Sequence, residues 1–160
     1  MPISAYRIVK TKWAALAFDG QGARRNGGRW NSVGTRMVYT AESRSLAALE
    51  VLVHLEGPAR GYSLIRCDIP DDISVELVAD GDLPADWQNS PSPPALATLG
   101  DAWVVRGSTA VLKVRSAVVH AEYDYLLNPV HSEFDRIRIH TPEPFLYDAR
   151  LVALIESQQR

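Results

Sequence analysis

Ser43-Arg44-Ser45-Leu46-Ala47-Ala48-Leu49-Glu50-Val51-Leu52-Val53-His54-Leu55-Glu56 is the stretch from which the rest of the chain can be read. Ser43 is a good N-cap, and the spacing predicts a helix from it to about Glu56. From Leu46 to Leu55 every position is apolar except Glu50 and His54. A helix that is apolar nearly all round is expected to be buried. Glu50 sits in its middle, one turn after Leu46 and one turn before His54. A dry, unpaired carboxylate costs several kcal/mol, so Glu50 needs a cation, hydrogen-bond donors or a cleft. The bland alternative is a glutamate on a narrow solvent-facing stripe with His54 and Gly57. The apolar neighbours on nearly every side favour the first reading.

Working upstream, Val38-Tyr39-Thr40-Ala41 is a short strand leading straight into this helix. Tyr39 offers a ring for stacking and a hydroxyl, or is an ordinary strand tyrosine. Before it lies Gly27-Gly28-Arg29-Trp30-Asn31, itself preceded by Gly20, Gly22, Arg24 and Arg25. Glycines let the backbone approach a ligand closely, and an arginine among them can grip a phosphate bidentately. Trp30 adds a stacking surface, and Asn31 adds amide donors and an acceptor. Read without context, the same segment is a polar hairpin loop with a solvated arginine.

Downstream, strands are predicted at Met37–Thr40, Tyr62–Cys67, Val75–Val78, Ala110–Val114 and Phe134–His140. Leu96, Leu99 and Trp103 recur at helical spacing, with closure near Gly107. Asp148 caps a last helix carrying Leu151, Val152, Leu154 and Ile155. Asp80–Pro94 holds Gly81 and four prolines, and reads as a long loop or interrupted helix within one domain. Strands and helices do not alternate as regular βαβ units, which points to an α+β fold.

The 160 residues suit one domain with its own core. A net charge of −2 gives no overall field for nucleic acid, although Arg24, Arg25, Arg29 and Arg36 lie close together. The single cysteine, Cys67, rules out an internal disulfide and suits a reducing cytoplasm. Met1–Lys10 lacks a signal-peptide core, and no apolar run is long enough to span a membrane.

Ser116, in Val114-Arg115-Ser116-Ala117, can present a hydroxyl at a strand end or simply make a turn. In Leu127-Asn128-Pro129-Val130-His131, Asn128 reads first as a turn residue. Several chemistries lack support. There is no G-x-G-x-x-G opening a helix, no Gly-Lys-Ser/Thr, no H-E-x-x-H and no G-x-S-x-G. His131-Ser132-Glu133 has the H-x-E of a zinc deaminase, without its P-C-x-x-C half.

In this order, these segments resemble the RES family, named for its arginine, glutamate and serine. The matching text is Tyr6-Arg7-Ile8, Gly27–Asn31, Val38–Ala41, Leu46–Leu55, Gly100-Asp101-Ala102-Trp103, Val114–Val118 and Leu127–His131, so it spans about Tyr6 to His140. Arg115 departs from the pattern, which has a proline before the serine. The resemblance implies a fold similar to ADP-ribosyltransferase toxins. That is one α+β domain over residues 1–160, with a central mixed or antiparallel sheet flanked by helices and NAD+ bound in a cleft.

The resemblance further implies the toxin half of a toxin–antitoxin pair, held in check by an Xre-like antitoxin that occludes the cleft. NAD+ is then a substrate, cleaved at the nicotinamide–ribose bond, and no metal is needed. Family members degrade NAD+ by hydrolysis or phosphorolysis, or transfer ADP-ribose to a protein such as ribose-phosphate pyrophosphokinase. Carried over residue by residue, the catalytic set is Arg29, Tyr39, Glu50 and Ser116. The cofactor-binding set is Arg7, Arg29, Trp30, Asn31, Tyr39 and Asn128. Glu50 would hold a ribose hydroxyl and face the oxocarbenium-like cation, with a nearby arginine favouring its ionised form. Ser116 would bond the ribose or the carboxamide. The contrasting reading is a non-catalytic antitoxin-binding domain with a decayed NAD+ cleft, against which the intact Arg29, Tyr39, Glu50 and Ser116 argue.

Overall fold

Alternating side chains in Ile-Ser-Ala-Tyr-Arg-Ile-Val-Lys build the first strand, β1 (Ile3–Lys10), in a computed structural model describing residues 1–160. Then follow α1 (Gln21–Asn26), β2 (Val38–Ala41), α2 (Arg44–Leu52), β3 (Tyr62–Ile69) and β4 (Val75–Leu77). The second half adds α3 (Pro94–Arg106), β5 (Val111–Arg115), β6 (Tyr123–Leu127), β7 (Arg138–Ile139), β8 (Glu143–Phe145) and α4 (Ala149–Gln158). All eight strands join one sheet in the order β4-β5-β6-β2-β1-β3-β7, with β8 also on β3. The β4–β5 pair is parallel and the others are antiparallel, so the sheet is mixed, as expected. No helix is long and apolar enough to cross a membrane.

The sheet has a seam. β1 and β3 pair along their full length, from Ile3 opposite Ile69 to Lys10 opposite Tyr62. β2 and β6 pair over four registers. Between these two halves, β1 meets β2 at a single register, Tyr6 opposite Ala41. Helices cover the same face of both halves. α3 packs Leu96 and Trp103 onto Leu112, Val114 and Leu126 of β5 and β6. α2 packs Leu46 and Ala47 onto Ile8 and Leu64 of β1 and β3. The opposite face holds a third cluster that includes Ala5, Val38, Cys67, Ile69 and Leu127. A gap between α2 and α3 therefore lies over the seam.

Three expectations need correction. The helix begun at Ser43 ends at Leu52 rather than Glu56, and it is not buried all round. Only Leu46 and Ala47 are buried, while Leu49 and Val53 are 40% and 57% exposed. Phe134–His140 is not one strand. A single 3-10 turn at Phe134–Arg136 precedes the two-residue β7, because Arg136 is drawn to Glu133 and Asp72 and local backbone bonds close the turn. The last helix is capped by Asp148 as read, yet none of its residues is buried. β1 and β6 were not expected; β1 forms one side of the seam, and β6 backs β2 on the other.

Candidate active site

Glu50 projects from α2 into a cleft of about 680 Å³ over the seam. Ser43 accepts a hydrogen bond from the Leu46 N–H at 3.0 Å, which starts α2 at the residue that brings Glu50 round to this side two turns later. The Ser116 hydroxyl, at the end of β5, donates to Glu50 Oε1 at 2.7 Å. The Ser116 hydroxyl oxygen in turn accepts the N–H groups of Val118 and Val119 at 3.0 and 3.1 Å. Those two bonds fix the rotamer of Ser116, so Glu50 receives a donor whose direction is set by backbone. Ser116 is fully buried and does not line the cleft. Its hydroxyl is thus directed at Glu50, and not into the cleft where a ribose or carboxamide was expected to meet it.

Arg29 lines the same cleft and feels Glu50 as an attractive charge. Burial nevertheless lowers its pKa from the usual arginine value. One of its nitrogens, Nη1, donates to the carbonyls of Trp87 and Asn89 at 2.9 and 3.0 Å. The 80–94 segment is thereby strapped over the cleft, and Ser90, Pro91 and Ser92 form part of the lining. The base of this segment is tied too. Arg115, where a proline was expected, makes a two-pronged bond to Asp80 at 3.0 and 3.1 Å. The turn after it is kept by Ser116 itself.

Arg7 lines the cleft at the seam, with Nε on the Ala17 carbonyl at 2.8 Å and Nη1 on the Tyr39 carbonyl at 3.0 Å. Desolvation lowers its pKa to about 10, which still leaves it cationic at neutral pH. Tyr39 faces the cleft from β2. Its hydroxyl donates to Asn31 Oδ1 at 2.6 Å and accepts the Trp30 N–H at 3.0 Å. With the hydroxyl so engaged and burial raising its pKa, the ring is what Tyr39 offers a ligand. Gly28 is required here, since a Cβ at that position would lie 2.7 Å from the Tyr39 hydroxyl.

Of three expected cofactor contacts, Trp30 lies buried in the cleft wall, and Asn31 and Asn128 sit elsewhere. The Trp30 side chain is 2% exposed and packs with Met37, Leu96 and Trp103, so it presents no free stacking face. Asn31 is buried, its amide nitrogen bonded to the carbonyls of Ala23, Ser32 and Thr35. Asn128 is buried and caps a turn by accepting the Val130 N–H at 3.1 Å, the turn role read first for it. Neither asparagine lines the cleft. Asn31 shapes it instead, by holding Tyr39.

One cleft residue escaped the sequence reading. Asp124 of β6 lines the cleft beside Glu50. Burial, then the Glu50 carboxylate, raise its pKa to about 9. Its signal was faint: a single acid in Tyr-Asp-Tyr-Leu-Leu, at the position that shares a sheet face with Leu126.

Comparisons with known proteins give the chain its family. The RES domain model matches residues 4–148. A protein of Sphingobium sp. (strain YBL2) named "Prs ADP-ribosylating toxin" is 38% identical over 95% of this chain and 98% of its own length. A "Toxin Res" of Yersinia enterocolitica is 36% identical over 91% of this chain and 97% of its own. A chain in the crystal structure of the M. tuberculosis MbcT–MbcA toxin–antitoxin complex superposes with a TM-score of 0.72, at 19% identity, covering 98% of this chain and 88% of that one. This chain belongs to the RES domain family of toxins.

Proposed function

We propose that this toxin cleaves the nicotinamide–ribose bond of NAD+ in the cytoplasm, with Glu50 as the central catalytic group. The supporting observation is the Glu50 carboxylate, set in a cleft by the Ser116 hydroxyl at 2.7 Å and flanked by Arg29. A cleft of this size, with two arginines, the Tyr39 ring and one oriented carboxylate, suits a dinucleotide. Arg29 and Arg7 would take the pyrophosphate side, and the Tyr39 ring would stack on nicotinamide. As the glycosidic bond breaks, its electron pair leaves with nicotinamide and positive charge grows on the ribose. A fixed carboxylate facing that charge is stronger in the transition state than in the ground state.

The cation is then captured by a nucleophile that loses a proton: water, phosphate or a protein side chain. The name of the Sphingobium relative favours transfer to a protein, with ribose-phosphate pyrophosphokinase as the acceptor. The fold shared with a chain of a toxin–antitoxin complex supports an antitoxin partner, which we take to be Xre-like and to cover the cleft. Nicotinamide release should be followed with buffer alone, with phosphate, and with purified ribose-phosphate pyrophosphokinase. Release that requires the protein, with ADP-ribose appearing on it, makes the chain a transferase. Release in buffer or phosphate alone makes it a hydrolase or phosphorylase. No release under any of these conditions rejects NAD+ cleavage.

A further inference from the structure

Asp124 has no part in the chemistry described so far, yet it lies on the floor of the same cleft. In β6 it stands opposite Ala41 of β2 on one side and Val114 of β5 on the other. Directly opposed residues share a sheet face, so Asp124 projects from an apolar row towards α2 and Glu50. Its Oδ1 is buried and finds no hydrogen-bond partner. A charged carboxylate is poorly served there. Glu50, Glu42 and Glu122 all face it and oppose a second negative charge.

The cations nearby are committed elsewhere. Arg7 is bonded to two carbonyls, and Arg29 to two carbonyls of the strap. From β5, Lys113 lies over the rings of Tyr123 and Tyr125, and Arg115 is bonded to Asp80. Of the remaining ionisable residues of the cleft, Tyr39 and Tyr6 add no positive charge, and His54 lies one turn beyond Glu50, just past the end of α2. Glu50 is within hydrogen-bonding reach of Asp124, and it already has the Ser116 hydroxyl.

We propose that Asp124 is a positioning residue that stays protonated and donates its carboxyl O–H to Glu50, so that the pair carries one negative charge, placed on Glu50. Glu50 is then held by two hydroxyl donors on different strands, Ser116 beyond β5 and Asp124 within β6. This rests on the reading of Glu50 as the carboxylate that faces the ribose cation. Burial and Glu50 together raise the Asp124 pKa to about 9, so the arrangement holds at neutral pH and fails in alkali. When Asp124 loses its proton, two adjacent carboxylates repel and Glu50 keeps only the Ser116 donor.

The test compares wild type with Asp124→Asn and Asp124→Ala. Asparagine keeps a donor but has no acid to lose; alanine keeps neither. For wild type, kcat for nicotinamide release should fall about tenfold per pH unit above about pH 9. Asp124→Asn should lack that fall. At neutral pH Asp124→Ala should be slower by about tenfold or more, and Asp124→Asn should recover most of the loss. Thermal unfolding supplies a reading that needs no turnover. A carboxyl protonated in the folded state and ionised in the unfolded state makes stability fall as pH rises from about 4 to about 9. The melting temperature of wild type should drop over that window relative to Asp124→Asn. An Asp124→Asn variant that keeps both the alkaline fall and the wild-type melting profile overturns the proposal. If wild type releases no nicotinamide, the catalytic reading fails, and the melting profile still decides where the proton lies.

Discussion

At the scale of single residues, the site turns on how one carboxylate is held. Ser116 donates to Glu50 while two backbone N–H groups hold Ser116. Ser116→Ala removes a hydrogen bond to a charged group and leaves two N–H groups without their acceptor. Such a bond is worth about 1.5–3 kcal/mol, so kcat for nicotinamide release should fall about tenfold to a hundredfold. A melting temperature only a few degrees lower would show that the fold survives; unchanged kcat would remove Ser116 from the machinery. Glu50 was legible in the sequence because a lone acid in an apolar helix is conspicuous. The role of Ser116 was not, because a serine after a strand looks the same whether it meets a ligand or another side chain. Asp124 was hidden for a similar reason: a strand of five residues is too short for one acid to break its pattern.

At the scale of elements, the cleft has a wall, a floor and a strap. The wall is α2, the floor is the seam between β1 and β2, and the strap is the 80–94 segment held by Arg29. Arg29→Ala should weaken NAD+ binding by about tenfold or more, since it removes a charged contact and frees the strap together. Titration of the variant with NAD+ checks this, and unchanged affinity would reject the assignment. On the far side, α3 approaches the Gly27–Asn31 loop so closely that a Cβ on Gly100 would lie 1.7 Å from the Trp30 carbonyl oxygen. Gly100→Ala should therefore cost about 3 kcal/mol or more and lower the melting temperature by about 6–12 °C. A variant as stable as wild type would mean that α3 can shift without loss.

Helices α3 and α4 could be read from spacing and caps, and Gly107 takes the left-handed conformation expected of a helix end. β2, β3, β4 and β5 fell within one or two residues of the expected ends, because their apolar runs are bounded by clear turn signals. Phe134–His140 alternates as a strand should, but ion pairs from Arg136 close a turn there instead. That outcome depends on Asp72, which is far away in sequence and invisible to local pattern.

At the scale of the molecule, one mixed sheet nearly parts at the single register where Tyr6 meets Ala41, and the site occupies that seam. Residues from both halves are needed: Arg7 from one, Tyr39 and Asp124 from the other, with Glu50 carried across by α2. An occluding partner would have to reach only this gap to stop the enzyme. The α+β class was legible because the elements do not alternate regularly. The seam was not, since it depends on which strands become neighbours. The central claim is that the Glu50 carboxylate stabilises charge developing on the ribose of NAD+. It is tested most directly by nicotinamide release from NAD+ by wild type and by Glu50→Gln, with melting temperatures measured alongside. Glutamine keeps the shape and an acceptor for Ser116 but not the charge. Turnover by folded Glu50→Gln should fall by about a hundredfold to a thousandfold, the level set by loss of one preorganised electrostatic group. Near-normal nicotinamide release by folded Glu50→Gln would contradict it.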